Sequence, residues 1–242
     1  KAFEAFKTNR LIIANRLSSK RISNPLENYD PTAVDPETGF PDGYGPLSQD
    51  VLRTSFFSAY TGISPSKVGL SDFPMIPMPN WQLTYDGLSK LSPFKRLFKT
   101  FTLTHGYRSV YSIGAFTTST TYSLDDDGYN YVRNINNDFI SKNEITNVAI
   151  NEQFSPLIGI DANWQNNLTS KIELKTTRSL AMSFANNQLT EIYGNEYVIG
   201  MGYRFENVPL IFKAEGGGKK AITSDLRLTL DFSLRDNTTV LR

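Results

Sequence analysis

The stretch SDLRLTLDFSL, residues 224–234, decides how this chain is read. Leu226, Leu228, Leu230, Phe232 and Leu234 fall on even numbers. Asp225, Arg227, Thr229, Asp231 and Ser233 fall on odd numbers. Successive side chains of a β-strand point to opposite faces, so this is a strand with one apolar and one polar face. In a soluble sandwich the apolar face meets a core and the polar face meets water. In a membrane barrel the apolar face meets lipid and the polar face lines a wet lumen. The local pattern is the same in both, so the rest of the chain must separate them.

Period two begins at Asn80. Trp81, Leu83 and Tyr85 alternate with Gln82, Thr84 and Asp86. Residues 98–116 place Phe101, Leu103, Tyr107, Tyr111 and Ile113 opposite Thr100, Thr102, Thr104, Arg108 and Ser112. Residues 145–164 keep Val148, Ile150, Phe154, Ile158, Ile160 and Trp164 on one parity, although Pro156 weakens the middle. Residues 169–185 set Ile172, Leu174, Leu180, Met182 and Phe184 against Lys171, Glu173, Lys175, Thr177, Ser179 and Ser183. Residues 196–212 set Tyr197, Ile199, Met201, Tyr203 and Phe205 against Gly200, Gly202 and Arg204. The opening stretch makes a sixth strand.

The sequence spaces these strands by 91–97, 117–144, 165–168, 186–195 and 213–220, a short, long, short, long, short order. Tight turns at one end and longer loops at the other are the habit of outer-membrane barrels. Aromatics gather near strand ends: Trp81, Phe184 and Tyr197 on the long-loop side, Phe98, Trp164 and Phe205 on the other, as interfacial girdles would. The lipid-facing set is therefore Trp81, Leu83, Tyr85, Leu103, Ile172, Leu174, Met182, Ile199, Met201, Leu226, Leu228, Leu230 and Phe232. The lumen-facing set is Lys171, Glu173, Lys175, Arg204, Arg227, Asp231 and Arg235. That many charges suit a wide wet lumen and not a dry small-barrel interior. The smallest such barrels have about eight strands. Six cannot close, and an open edge in lipid leaves amide groups unpaired at several kcal/mol each. These strands are expected to be part of a much larger antiparallel barrel.

Composition excludes other classes. The 242 residues carry a net charge of +1, which implies no nucleic-acid partner. Cysteine is absent and His105 is the one histidine. Disulfides, thiolate metal sites and cysteine nucleophiles are excluded together, and an enzyme would be left with carboxylate chemistry. No cofactor is expected. No apolar run is long enough for a membrane-spanning helix. The chain starts at Lys1 without a leader, as a processed or excised piece would.

Residues 1–79 read differently. Phe3, Phe6, Arg10, Ile13 and Leu17 recur at spacings of three and four, predicting a helix over 1–18. Pro25, Pro31, Pro36, Pro41 and Pro46 with Gly39, Gly43 and Gly45 make 24–47 a loop. Ser48 is placed to cap a short helix over 49–61, with Asp50 in its first turn and Gly62 as terminator. Residues 63–79 are Pro-rich again. The chain thus divides into 1–79, a helical and Pro/Gly-rich cap or lumen segment, and 80–242, the strands. Strand direction puts 1–79 on the outer side or inside the lumen.

Several stretches resemble the SprA/Sov family, the giant outer-membrane translocon of type IX secretion in Bacteroidetes. They are NRLIIANRL (9–17), NPLENYDPTAVDPETGFPDGYGPLSQDVL (24–52), SFFSAYTGISPSKVGLSDFPMIPMPNWQLTYDGLSKL (55–91), ANNQLTEIYGNEYVIGMGYRF (185–205) and DLRLTLDFSLRDNTT (225–239). The likeness covers most of the chain and is least distinctive over 117–143. It implies a segment near the C-terminal end of a much longer protein. It also implies a single-chain barrel of very large size, the largest known having about 36 strands. Implied with it are passage of folded cargo, a role in protein secretion and gliding motility, and localisation in the outer membrane. The implied partners are the rest of the parent barrel, a smaller cargo-collecting outer-membrane barrel, a plug protein, secreted cargo with C-terminal signals, and the bilayer. The chain lacks the C-terminal aromatic usual in smaller barrels. Rival readings are a smaller porin or uptake barrel, and a soluble envelope β-sandwich that binds glycan.

Four features could carry a site of another kind. His105 shares parity with Leu103 and Tyr107 and has no partners at ligand spacing, so it is expected to face an interface or a neighbour. Asp125-Asp126-Asp127-Gly128 with Asn130 matches part of a calcium loop without its closing Glu, and is expected to be a solvated outer loop. Gly216-Gly217-Gly218-Lys219-Lys220 lacks the spacing of a phosphate loop and is expected to be a turn between strands. Arg178 has the parity of Leu174 and Leu180, where facing mid-bilayer lipid would cost about 2–4 kcal/mol. A bulge near Thr176-Thr177, snorkelling or a contacting partner would each relieve it.

Overall fold

The computed structural model describes residues 2–22, 29–30, 32–126, 128–213 and 219–242. The protein is mostly β. One antiparallel sheet of six strands dominates, with spatial order β1-β2-β5-β6-β7-β8. Its strands are β1 (Asn80–Tyr85), β2 (Phe98–Ile113), β5 (Asn147–Trp164), β6 (Leu168–Ser183), β7 (Gln188–Lys213) and β8 (Lys219–Leu241). Two short strands, β3 (Phe116–Thr118) and β4 (Asn143–Ile145), pair at the base of the long connection. The helices are α1 (Ala2–Ile22), α2 (Gln49–Thr61) and the short α3 (Ser92–Leu97). Among the described residues no helix is long and apolar enough to cross a membrane.

All six sequence strands exist, with the largest boundary differences at β7 and β8. β8 runs well beyond 224–234 at both ends. β7 starts at Gln188, so 186–195 is not a long loop: Gln188–Asn195 pair with Thr176–Ser183. The stretch misreads because Leu189 and Tyr193 lie on one parity and Ile192 on the other, which blurs period two. The alternation of long and short connections therefore fails at that crossing, and 114–146 is the one long connection. β5 passes through Pro156, with a cis Ser155–Pro156 bond and a register shift between Phe154 and Ile158. A proline lacks the ladder N–H, so the local pairing gives way while the strand continues. The Gly216–Gly218 turn lies outside the described residues, as does Asp127.

The helix over 1–18 extends to Ile22, burying Phe6, Ile13, Ala14 and Leu17. Helix α2 occupies the expected 49–61, and Gly62 closes it in the left-handed conformation at φ +74°. Ser48 does not cap it: its hydroxyl makes no cap bond, and Asp50 turns instead to Arg53. Tyr29 and Tyr44, between α1 and α2, pack against Phe139 of the long connection. Gly43 has φ +75°, and a Cβ there would strike the Phe139 ring. The Arg21 guanidinium lies over that ring, 3.6 Å from its centroid, and donates to the Tyr44 hydroxyl at 2.8 Å.

The core is where this cap meets the sheet. Phe56, Phe57, Val51 and Leu52 of α2 and Ile13 of α1 cluster with Val148, Ile150, Leu180, Met182 and Leu189. The Phe57 and Tyr111 rings meet edge to face at 4.5 Å. Only the end of the sheet nearest the long connection is covered in this way.

Candidate functional site

The candidate site is the pair of sheet faces. β6 and β7 pair without interruption from Leu168↔Tyr203 to Ser183↔Gln188, so no side chain changes face along them. The cross-strand rows then assign every neighbour. Asp161, Lys171, Gly200 and Asp231 share a row on one face. So do Gly159, Glu173, Val198 and Ser233. Ile160, Ile172, Ile199 and Phe232 share a row on the other.

The polar face gathers all seven residues of the lumen set. Lys171 and Lys175 flank Glu173 at 3.0 and 3.3 Å. Arg235 pairs with Glu196 at 3.1 Å, and Ser233 donates to the same carboxylate at 2.9 Å. Arg204 pairs with Asp225. The positive charges of Lys171, Lys175, Arg204, Arg227 and Arg235 thus stand among Asp161, Glu173, Glu196, Asp225 and Asp231. Opposite signs are interspersed over short distances, Arg204 facing Arg227 being a like-charged pair relieved by Asp225, so the face carries no strong field of one sign.

The other face has three tiers. The lowest is an exposed apolar band. Twelve of the thirteen residues in the expected lipid set lie on it: ten are exposed, Leu228 at 63 % and Phe232 at 65 %, while Leu103 and Leu174 are half-buried. The thirteenth, Met182, is a correction: it shares the face but is 1 % exposed beneath the cap, touching helices and not lipid. The band stops in register, at Leu174, Tyr197 and Leu234. From Leu226 to Leu234 it rises about 26 Å along the strand, or about 20 Å at the tilt of membrane barrels. Aromatics mark its limits. Trp81, Tyr107 and Phe154 cluster at the upper edge, and Phe94, Phe98, Phe101 and Trp164 at the lower. Phe184 does not join them, because it packs on the cap core.

The middle tier is polar. Thr176, Asn195 and Asp236 form one row, and Glu152, Arg178, Tyr193 and Thr238 the next. Arg178 neither flips inward nor snorkels. It pairs with Glu191 at 2.9 Å and Glu152 at 3.2 Å, and lies near the rings of Tyr60 and Tyr193. Tyr107 donates to Glu152 at 2.9 Å. Tyr60 ends α2 against this network, and burial pushes its hydroxyl up to about 12. Glu152 and Glu191 were missed in the sequence. The signal was there: three charges break the apolar parity on three neighbouring strands, which places them in one patch. The top tier is the cap core.

Within the cap, Arg53 is fully buried and bridges Asp50 and Asp72, each at 3.1 Å. Asn143 donates to the second oxygen of Asp72 at 2.8 Å. Burial pushes the Asp50 carboxyl above its ordinary value, with Arg53 drawing it back.

The remaining candidates resolve locally. His105 lies on the apolar face beside Phe154 with Nδ1 2.6 Å from the Leu157 carbonyl. Asp125 closes its own loop, accepting from the Tyr129 amide at 2.7 Å and, through its carbonyl, from Gly128 at 3.0 Å. Among the described residues no group of three or more His, Cys, Asp or Glu is placed to hold a metal.

Fold and site together define a class: an amphipathic antiparallel sheet, charged on one face and bare and apolar on the other, with a helical cap over one end. No protein-family model matches the chain, and no curated protein matches it.

Proposed function

We propose that the chain is a section of the wall of a very large outer-membrane β-barrel, and that this barrel is the protein-conducting channel of type IX secretion. The apolar band carries the membrane part of the reading. It is exposed, ends in register across adjacent strands, and has aromatics at both limits, opposite a charged face. A sheet in water would cover such a band; among the described residues nothing does.

The sheet edges support the larger barrel. β1 offers six residues to a neighbour and β8 offers twenty-three, so the two edges do not match as partners in a closed six-strand barrel. Unpaired edge amides are not tolerated in lipid, and further strands must cover both. Residues 1–242 alone are therefore expected to aggregate or remain polydisperse in detergent. A monodisperse monomer with heat-modifiable gel migration would contradict this.

The secretion assignment draws on the resemblance of the Pro-rich loops. Its work is transport without chemistry. Folded cargo with a C-terminal signal passes a hydrated wall whose charges are largely paired within the wall itself. A smaller barrel delivers that cargo, and a plug closes the empty channel. Loss of the full-length protein should trap such cargo in the periplasm while other routes continue. A hyperstable domain fused to a cargo signal should reach the cell surface folded; secretion only after the domain is destabilised would reject the wide-corridor mechanism.

A further inference from the structure

The cap and the apolar band occupy the same face of the sheet. On β6, Ile172 and Leu174 belong to the band, while Leu180 and Met182, on the same parity of an unbroken strand, are buried beneath the helices. The charged face is the opposite one. A segment inside a lumen would have to pack on that charged face, and α1 and α2 do not.

The direction of α2 sets the height of the cap. Gln49, at its start, exchanges hydrogen bonds with Asn143 and Ile145 of β4, just before β5 enters the sheet at its far end. Phe57 meets Tyr111, level with Ile150 and Leu180. Tyr60 reaches Arg178, one row closer to the band. The helix therefore descends toward the band, and the loop 62–67 leaves from its lower end. Arg178 is four positions along β6 from the band edge at Leu174, about 13 Å of strand.

That loop is ordered from within. Lys67 and Val68 amides donate to the Ser64 carbonyl at 2.9 and 3.0 Å, and Ser58 donates to the Ile63 carbonyl at 2.8 Å. Arg16 donates to the Val68 carbonyl at 3.0 Å, and Val68 itself is buried. Gly62, Ser64, Ser66 and Lys67 are exposed. From Thr61 to Ser71 the single charged residue is Lys67. A hydroxyl-bearing loop with one cation, leaving the band-ward end of α2 about 13 Å of strand beyond the edge of an apolar belt, has the chemistry of a phosphate-bearing headgroup contact.

We infer that the helical cap stands outside the channel, over the lipid beside the wall, and that the loop 62–67 rests on phosphate-bearing headgroups of the outer leaflet. This rests on the wall reading above, and it means that the cap neither lines nor closes the corridor. The Arg178–Glu152–Glu191 network then marks the height at which wall, cap and headgroups meet.

The test uses nitroxide labels in the full-length protein, reconstituted in phosphatidylethanolamine–phosphatidylglycerol vesicles doped with a nickel-chelating lipid. The chain has no native cysteine, so Ser66→Cys, Ile135→Cys and Leu228→Cys each give one site within it, cysteines elsewhere in the protein being replaced. Nickel lipid should broaden the signal at 66 and leave that at 135, a fully exposed position on the long connection, unchanged. The label at 228 should collide with oxygen far more than with an aqueous nickel chelate. No broadening at 66, or equal broadening at 66 and 135, with 228 in lipid, overturns the inference and leaves the wall reading standing. A label at 228 that sits in water overturns both.

Discussion

Leu228→Arg in the full-length protein is expected to lower stability by about 2–4 kcal/mol, and Thr229→Arg by little, although the two residues are adjacent. Leu228 is 63 % exposed, so no core packing is lost in either variant. On the wall reading the asymmetry would come from the solvent on each side: an arginine in the apolar band would enter hydrocarbon, while one beside Arg227 and Asp231 would join a charged face open to water. Cysteines at the two positions make the same comparison without the added charge. A membrane-impermeant thiol reagent should modify position 229 much faster than position 228. Equal labelling, or equal cost of the two arginines, would place both faces in one medium and remove the wall reading.

Arg53→Met is expected to cost about 3–5 kcal/mol, the range for removing one partner of a buried ion pair. Arg53 is fully buried, and its loss strands Asp50 and Asp72 together under the cap. The cap should then open to protease at least about a hundredfold faster, since each 1.4 kcal/mol is about tenfold in the open population. The pH dependence has a definite sign. Burial raises the Asp50 carboxyl in the folded state. A raised carboxyl favours the folded state most below its unfolded value, and that contribution is lost as pH rises through the folded one. Without Arg53 the raising forces act unopposed, so the loss should be smaller near pH 5 than near pH 8. A defect of the same size at both pH values would show that Asp50 does not carry it.

The sequence by itself determined the strands and their faces. Period two is a one-dimensional signal, because the side chain alternates whatever the strand pairs with, and so Lys171, Glu173 and Asp231 were separable from Ile172 and Phe232 in advance. The two helices were equally legible from the spacing of Phe6, Ile13 and Leu17 and from Gly62. What lies over a face is not a one-dimensional property. Leu174 and Met182 have the same parity and similar chemistry, yet one borders the open band and the other is sealed by α2. Only the packing of a distant segment tells them apart. Gln188–Asn195 looked like a loop because apolar residues fell on both parities, and register with β6 settled them as strand. Arg178 looked like a charge stranded among apolar neighbours. It is satisfied by Glu152, 26 positions before it, and Glu191, 13 after, which only strand pairing brings within 3.2 Å. The side of the sheet on which the cap rests was likewise undecided in the chain. Tertiary structure decided it, because burying Leu180, Met182 and Leu189 required an apolar cover on their face, and Phe56 and Phe57 supply it.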